Sequence, residues 1–347
     1  MKKGFAAYAG IIALSVVVLG TLVLAGCGGE EPAQAGDEAA VEEQIVVGLS
    51  LPTQREERWV RDRETMIAEA ERQGIDLRVA VADADMAQQV AQVENLLVQG
   101  AEVLILAPHD ANAASSLVEG AAADGVPVIS YDRLILSDLV DVYLSFDNER
   151  VGELQGEFIT DLVPSGNYIV MSGAPTDNNA ALFKRGAMTY IQPLADSGDI
   201  NIISERAVDN WLPENALNIV ENALTANSND VDAILAPNDG TAGGAIQALS
   251  AQGLAGDVPI TGQDAELSGV RRIVEGTQSM TIFKDTRELG VAAIEAAITL
   301  AEGGQVETNN EVEGVPSLLL TPHIVTADNI DLLIDSGYFS REEIYDD

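Results

Sequence analysis

Short apolar runs alternate with longer stretches of helical periodicity along the chain from Ile45 onward. Uninterrupted apolar runs predict strands buried on both faces, which is typical of parallel sheets. We expect strands at residues 45–51, 77–81, 103–107, 126–130, 142–144, 167–171, 200–205, 232–236, 258–261, 280–283 and 318–320. We expect helices at residues 56–73, 86–99, 113–123, 149–162, 180–195, 213–226, 240–252, 266–275 and 287–302. Repeated strand–helix units of this kind predict doubly wound α/β sheets.

The predicted strands outnumber what one sheet comfortably holds, which favours a division into two lobes. A chain of 347 residues has the length for two domains. The series of units restarts near Phe146, and the last segments could cross back between the lobes. We therefore predict an N-terminal lobe of residues 45–145 plus 286–320 and a C-terminal lobe of residues 146–285 plus 321–347.

Residues 1–26 have the layout of a signal peptide, with Lys2 and Lys3 before an uncharged stretch. The stretch ends in Leu-Ala-Gly before Cys27, which resembles the lipobox of bacterial lipoproteins, where the cysteine is acylated and begins the mature chain. Two alternatives to a lipoprotein remain, namely an uncleaved membrane anchor and a cleaved signal peptide whose cysteine has no role. Residues 27–44 are rich in Gly, Ala, Pro and acid, which predicts a tether. We expect an extracytoplasmic protein held at the membrane by lipid on Cys27.

The chain is strongly acidic, with 56 acidic against 18 basic residues and a net charge of −38. This balance argues against nucleic acid and anionic membrane surfaces as partners. Two explanations stay open, a surface adapted to high salt and an ordinary acidic secreted protein.

Asp or Asn residues follow six of the apolar runs, at the predicted carboxyl ends of strands. They are Asp110, Asp132, Asp147-Asn148, Asp177-Asn178-Asn179, Asn238-Asp239 and Asp264. In open α/β sheets, ligands bind just beyond these strand ends. Carboxylates and neutral amides suit hydroxyl groups better than phosphates. The pattern predicts a binder of a polyhydroxylated small molecule.

Both tryptophans of the chain, Trp59 and Trp211, lie in polar stretches although aromatic residues are scarce. An aromatic face against the C–H face of a sugar ring, with polar groups around the rim, is one explanation of this placement. A tryptophan that caps a hydrophobic edge is the other.

Other candidates have equally plain structural explanations. Asp132 and Arg133 could bind vicinal hydroxyls as a charge-assisted pair or form a local ion pair in a loop. Asn238, and in the same way Gln263 and Asp264, could contact a ligand or only shape a turn and a helix cap. Lys284 follows a strand, and its residue type alone favours an ordinary surface position.

Several blocks resemble, in the same order, those of the bacterial D-xylose-binding proteins of the type I periplasmic binding protein family. Two blocks are long and specific, WLPENAL at 211–217 and TAGGAIQALSAQG at 241–253. The shorter blocks are at 57–59, 131–133, 145–149, 177–180, 221–227 and 262–265. The resemblance covers nearly the whole chain from Ile45. The family members are extracytoplasmic receptors of ATP-driven (ABC) importers.

The resemblance implies two Rossmann-like lobes joined by three hinge strands, with a sugar in the cleft between them. It implies sugar hydrogen bonds from Arg58, Asp132, Arg133, Asn179, Asn238, Asp264 and Lys284, ring packing by Trp59 and Trp211, and help from Asp177 and Asn178. It implies a monomeric receptor for D-xylose, or for another aldose such as glucose, that delivers to an ABC importer permease without a cofactor. Residues 51–54 depart from the family pattern.

Enzymes and regulators fit the sequence less well. His109 and His323 are the only histidines, and no Ser-His-Asp set, zinc spacing or P-loop occurs. Composition does not exclude a glycosidase that uses a pair of carboxyl groups. Such an enzyme needs one protonated carboxyl group, whereas Arg133 beside Asp132 favours the ionised form of Asp132. A sugar-responsive regulator would need a basic DNA-binding N-terminus. The sequence does not separate transport from service to a membrane chemoreceptor or sensor kinase. We expect no enzymatic activity and no metal.

Overall fold

Twelve strands and eleven α-helices make up residues 44–345, the part of the chain that our computed structural model describes. The strands are β1 (Val46–Leu51), β2 (Asp76–Val81), β3 (Val103–Leu106), β4 (Val128–Tyr131), β5 (Val142–Phe146), β6 (Gly166–Ser172), β7 (Ile200–Ala207), β8 (Ala233–Leu235), β9 (Thr281–Phe283), β10 (Asn310–Val312), β11 (Val315–Leu320) and β12 (His323–Val325). The predicted signal peptide, Cys27 and nearly all of the tether lie outside the described residues.

The helices connect these strands and flank the sheets. They are α1 (Glu57–Gln73), α2 (Met86–Val98), α3 (Ser115–Ala123), α4 (Asn148–Leu162), α5 (Asn178–Ser197), α6 (Pro213–Ala226), α7 (Asp239–Ala251), α8 (Leu267–Glu275), α9 (Thr286–Ala301), α10 (Asp331–Asp335) and α11 (Arg341–Tyr345). Within residues 44–345, no helix has both the length and the apolar character needed to cross a bilayer.

The larger sheet has the order β10-β11-β5-β4-β3-β1-β2. All of its neighbouring pairs are parallel except β10 with β11 at one edge. Strands β3, β4 and β5 are buried along their whole length, as continuous apolar runs predict. Trp59 and Met66 of α1 and Leu289 and Ile294 of α9 cover one face of this sheet and form its main core.

A second sheet, with the parallel order β7-β6-β8, packs against helices α6 and α7. The antiparallel pair β9–β12 forms a separate two-stranded ladder. The predicted strand at 258–261 is wrong, because Ile260 makes only one bridge, to Ile234. Pro259 has no N–H to donate on one side of this bridge, and on the other side the Thr261 hydroxyl bonds the Ala236 N–H and carbonyl at 2.8 Å in place of the main chain, so the ladder stops after one bridge.

Three connections join the two groups of strands, β5 to α4, β9 to α9 and β11 to β12. The predicted fold class, two doubly wound lobes joined by a three-strand hinge, is confirmed. The lobe boundaries at residues 145/146, 285/286 and 320/321 stay a prediction. The carboxyl ends of β1, β4 and β6 lead to Arg58, Asp132 and Asp177, which come together in one cleft.

Candidate ligand-binding cleft

A cleft of about 330 Å³, counted to its open mouth, collects most of the predicted site residues. Ten predicted residues line it, namely Arg58, Trp59, Asp132, Arg133, Asp177, Asn179, Trp211, Asn238, Asp264 and Lys284. Asn178 does not line it. Successive residues of a helix point about 100° apart, so Asn179 faces the cleft and Asn178 does not.

Arg58 lies in the first turn of α1 and bonds two buried carboxylates. Its Nη1 donates to Asp132 Oδ1 at 2.5 Å, and its Nε and Nη2 donate to Asp62 Oδ2 at 3.1 and 3.0 Å. Asp62 lies behind the cleft, where Tyr131 also donates to it at 2.5 Å. Burial raises the pKa of Asp62 to about 6, against the opposing charge of Arg58. Asp62 therefore holds Arg58 in place from the side of the guanidinium that faces away from the cleft.

Asp132 follows β4 in a left-handed conformation, with φ of 57°. Its main-chain carbonyl accepts hydrogen bonds from Ser145 Oγ at 2.7 Å, Tyr143 OH at 2.8 Å and Asn179 Nδ2 at 2.7 Å. Burial raises the pKa of the Asp132 side chain, but the charges of Arg58, Lys284 and Arg133 outweigh it and the pKa is lowered. The cleft thus contains a fixed, ionised carboxylate.

Arg133 does not pair with its neighbour Asp132. Its Nε lies 2.9 Å from Oδ2 of Asp177, which precedes α5 and caps it by accepting from Asn179 N at 2.9 Å. Burial raises the pKa of Asp177, and the charge of Arg133 offsets only part of this effect. The local ion pair, one of the two alternatives left open by the sequence, does not form, because each residue lies closer to an oppositely charged group from a distant segment.

Lys284 is only 3 % exposed, so the expectation of an ordinary surface lysine is wrong. Its Nζ lies 2.9 Å from Asp264 Oδ1 and 5.6 Å from the centre of the Phe183 ring. The ion pair is not directed as a hydrogen bond, and Asp264 Oδ1 has no hydrogen-bond partner among the described residues. The backbone of Asp264 has a φ of 93°, which turns this side chain toward Lys284.

The two tryptophans line the cleft in different ways. Trp59 is 1 % exposed and belongs to the core of the larger sheet, while the Arg58 and Arg133 guanidinium carbons lie 4.6 and 5.2 Å from its ring centre. Trp211 is the last residue of a short 3₁₀ turn, has a φ of 58°, and packs edge-on against Phe183 with ring centres 6.4 Å apart. Trp59 therefore closes a hydrophobic core and also borders the cleft, and its packing on a sugar ring stays a prediction.

Asn238 both caps a helix and lines the cleft. Its Oδ1 accepts from the backbone N–H of Thr241 at 2.9 Å and from its hydroxyl at 2.7 Å, which forms a capping box at the start of α7. The amide Nδ2 makes no hydrogen bond to any described residue. The cap therefore orients the side chain and leaves its donor for another partner.

Three lining residues were not among the sugar contacts that the resemblance implied, namely Glu56, Phe183 and Gln263. Phe183 is four residues after Asn179 on α5, so helical spacing from a predicted residue could have identified it. Gln263 directly precedes Asp264, at a predicted strand end. Nothing in the sequence distinguishes Glu56 from the other charged residues around it.

Three polar atoms at the cleft are buried and have neither a hydrogen bond nor an ion pair within residues 44–345, namely Glu56 Oε2, Trp211 Nε1 and Gln263 Oε1. A fourth, Asp264 Oδ1, makes only the ion pair with Lys284 Nζ at 2.9 Å. An unsatisfied buried polar group costs about 1–3 kcal/mol. Such atoms on the wall of a cleft indicate a ligand that both donates and accepts hydrogen bonds. In the same part of the chain, no group of three or more His, Cys, Asp or Glu residues is arranged to hold a metal ion.

Residues 47–305 match the model of the periplasmic binding protein domain family. The chain belongs to this family. It is 45 % identical over 311 residues to the D-xylose-binding periplasmic protein of Escherichia coli, covering 88 % of this chain and 94 % of that protein. It is 35 % identical over 339 residues to the multiple sugar-binding periplasmic receptor ChvE of Rhizobium radiobacter, covering 90 % and 94 %.

Solved structures of the family have the same fold. One is a carbohydrate transporter solute-binding protein from Chloroflexus aurantiacus in complex with D-glucose, with 36 % identity, a TM-score of 0.81 and coverage of 87 % of this chain and 98 % of that chain. Another is an ABC transporter solute-binding protein from Clostridium phytofermentans with bound β-D-glucose, with 32 % identity, a TM-score of 0.81 and coverage of 86 % and 99 %. The predicted family resemblance is confirmed.

Proposed function

We propose that this protein is an extracytoplasmic receptor that binds a monosaccharide reversibly, D-xylose first and glucose or a related aldose second, without chemistry on the sugar. The unpartnered polar atoms of the cleft are the observation that carries the proposal. A sugar hydroxyl can donate to Gln263 Oε1 and Asp264 Oδ1 and accept from Trp211 Nε1. A phosphate offers mainly acceptors, so it could not donate to either oxygen, and the carboxylate of Asp264 would repel it.

The contacts across the cleft support a closed, sugar-holding state. Arg133 pairs with Asp177, and Asn179 donates to the Asp132 carbonyl, so segments from the larger sheet bond segments from the smaller one. Elsewhere Glu57 Oε2 accepts from the backbone N–H of Leu267 at 3.0 Å. A sugar that touches both sides favours the closed state by its higher affinity for that state.

Transport is the proposed role of this binding. The relatives include a transporter solute-binding protein, and we infer delivery of the sugar to an ABC importer permease by a monomer held at the membrane through lipid on Cys27. A partner role for a chemoreceptor or sensor kinase is the alternative. The intact mass of membrane-extracted protein should show acyl chains on a polypeptide that begins at Cys27, and a Cys27→Ser protein that stays membrane-bound would contradict the anchor.

Calorimetry with a panel of aldoses tests the binding. We expect Asp264→Ala and Arg133→Ala each to weaken D-xylose binding at least tenfold, about 1.4 kcal/mol. Asp257→Ala removes the same charge as Asp264→Ala from an exposed loop and should leave the affinity unchanged. The sugar should be recovered unaltered after incubation. Normal binding by both cleft variants would show that the site lies elsewhere.

A further inference from the structure

Glu56 lines the cleft directly before α1. It occupies the N-cap position of this helix, but its side chain makes no capping hydrogen bond. The side chain is 12 % exposed, and Oε2 is buried without a hydrogen-bond partner among the described residues. This carboxylate therefore does not serve its own helix.

The other carboxylates of the cleft each have a cation within hydrogen-bonding distance. The pairs are Asp132 with Arg58 at 2.5 Å, Asp177 with Arg133 at 2.9 Å and Asp264 with Lys284 at 2.9 Å. For Glu56, the one ion pair within residues 44–345 joins Oε1 to Nη2 of Arg55 at 3.9 Å, and Arg55 is 42 % exposed. A buried carboxylate oxygen without a donor is costly, which indicates that a ligand supplies the donor.

The two neighbours of Glu56 in the sequence reach across the cleft. Arg55 Nη2 donates to the main-chain carbonyl of Asn210 at 3.0 Å, next to Trp211. On the other side, Glu57 accepts from Leu267 N. Glu56 is thus fixed between two contacts that form only when both sides of the cleft are together.

We propose that Glu56 Oε2 accepts a hydrogen bond from one hydroxyl of the bound sugar and is a specificity-determining residue of the site, an inference that rests on the proposed function. An ionised carboxylate can only accept. It selects a ligand with a hydroxyl donor at that position and disfavours an alkoxy group or a missing hydroxyl there. It also repels a uronate carboxylate, so the ligand class is a neutral aldose with a free hydroxyl facing Glu56.

A protein-variant by sugar-analogue cycle tests this contact in the full-length protein, kept in a detergent without a sugar head group. The affinities of the unaltered protein and of Glu56→Ala are measured for the best-binding aldose and for each of its monodeoxy analogues. We expect Glu56→Ala to weaken binding of the parent sugar more than tenfold. For one analogue, the one that lacks the contacting hydroxyl, the two proteins should bind with similar affinity. Glu64→Ala, which removes an exposed carboxylate of α1, should change no affinity.

Glu56→Gln is the second variant, because it keeps the shape of the side chain while removing its charge. It should weaken binding of the parent sugar less than Glu56→Ala does. An unchanged affinity in Glu56→Ala would overturn the contact, as would an equal loss for every analogue, since that pattern indicates a general electrostatic or structural effect. If the unaltered protein binds no aldose, the proposed function fails and this inference fails with it. If it binds aldoses and the cycle shows no analogue-specific loss, only the Glu56 contact fails.

Discussion

Substitution of Gly173 by alanine places a methyl group where the Trp211 ring now lies. Gly173 follows β6, and a Cβ built on it would lie 2.0 Å from Cη2, 2.2 Å from Cζ2 and 2.6 Å from Cζ3 of Trp211. Ordinary contact begins near 3.4 Å, so the ring would have to retreat by about 1.4 Å. A flexible side chain could absorb such a shift, but this indole cannot.

The retreat of Trp211 is restricted on two sides. Its own backbone is in a left-handed conformation, and the Phe183 ring meets it edge-on with ring centres 6.4 Å apart. Overpacking of this kind costs about 1–3 kcal/mol of folding free energy. If Trp211 packs on the sugar, a displacement of this size should also weaken binding at least tenfold, about 1.4 kcal/mol.

Two measurements on Gly173→Ala separate these effects. Urea unfolding reports the loss of folding free energy, and calorimetry under native conditions reports the affinity for D-xylose. Gly120→Ala is the control, because nothing lies within 4 Å of the added methyl in α3 and binding should not change. A folded Gly173→Ala protein with unaltered affinity would refute the placement of Trp211 against the sugar.

Three further results are expected. Burial raises the pKa of Glu266 from 4.5 to about 9, with a further contribution from the charges of nearby carboxylates. The contribution of protonated Glu266 to the free energy of unfolding is therefore fully present below pH 4.5 and is lost as the pH rises through about 9. Glu266→Gln should flatten this decline in urea unfolding at several pH values, and an unchanged slope would contradict the cause. Gly156→Val should destabilise the protein by about 3 kcal/mol or more in the same assay, because a Cβ there would lie 2.5 Å from the Ala187 carbonyl oxygen where α4 and α5 cross. Small-angle scattering should show a smaller radius of gyration with saturating sugar, whereas an unchanged radius in a protein shown to be open when empty would count against closure.

The sequence predicted most of the fold because the relevant signals are local. Continuous apolar runs identified the buried strands of the larger sheet, and Pro213 marked the first residue of α6, whose predicted bounds 213–226 match the structure. The segment at 258–261 has the same apolar character and yet is not a strand, since Pro259 lacks an N–H and the Thr261 hydroxyl replaces the main-chain pairing with Ala236. Apolar character alone could not separate these two outcomes.

The partners within the cleft could not be predicted, because they depend on long-range geometry. Asp132 stands beside Arg133 in the chain but pairs with Arg58, which is 74 positions away. The turns at Asp132, Trp211 and Asp264 have positive φ without glycine, and no sequence pattern marks them. Such conformations persist only where the surrounding structure enforces them, as the three hydrogen bonds to the Asp132 carbonyl do.

The charge of the cleft differs from the charge of the whole chain, and this difference bears on the class of ligand. The lining includes the carboxylates of Glu56, Asp132, Asp177 and Asp264 and the cations of Arg58, Arg133 and Lys284, so its formal charge is 3 − 4 = −1, in a chain of −38. Ion pairing inside the cleft cancels most of the local field, and the acidic surface repels anions before they reach it. A neutral ligand experiences neither effect. Its selection then depends on directed hydrogen bonds, and the buried atoms without partners are the groups that can supply them.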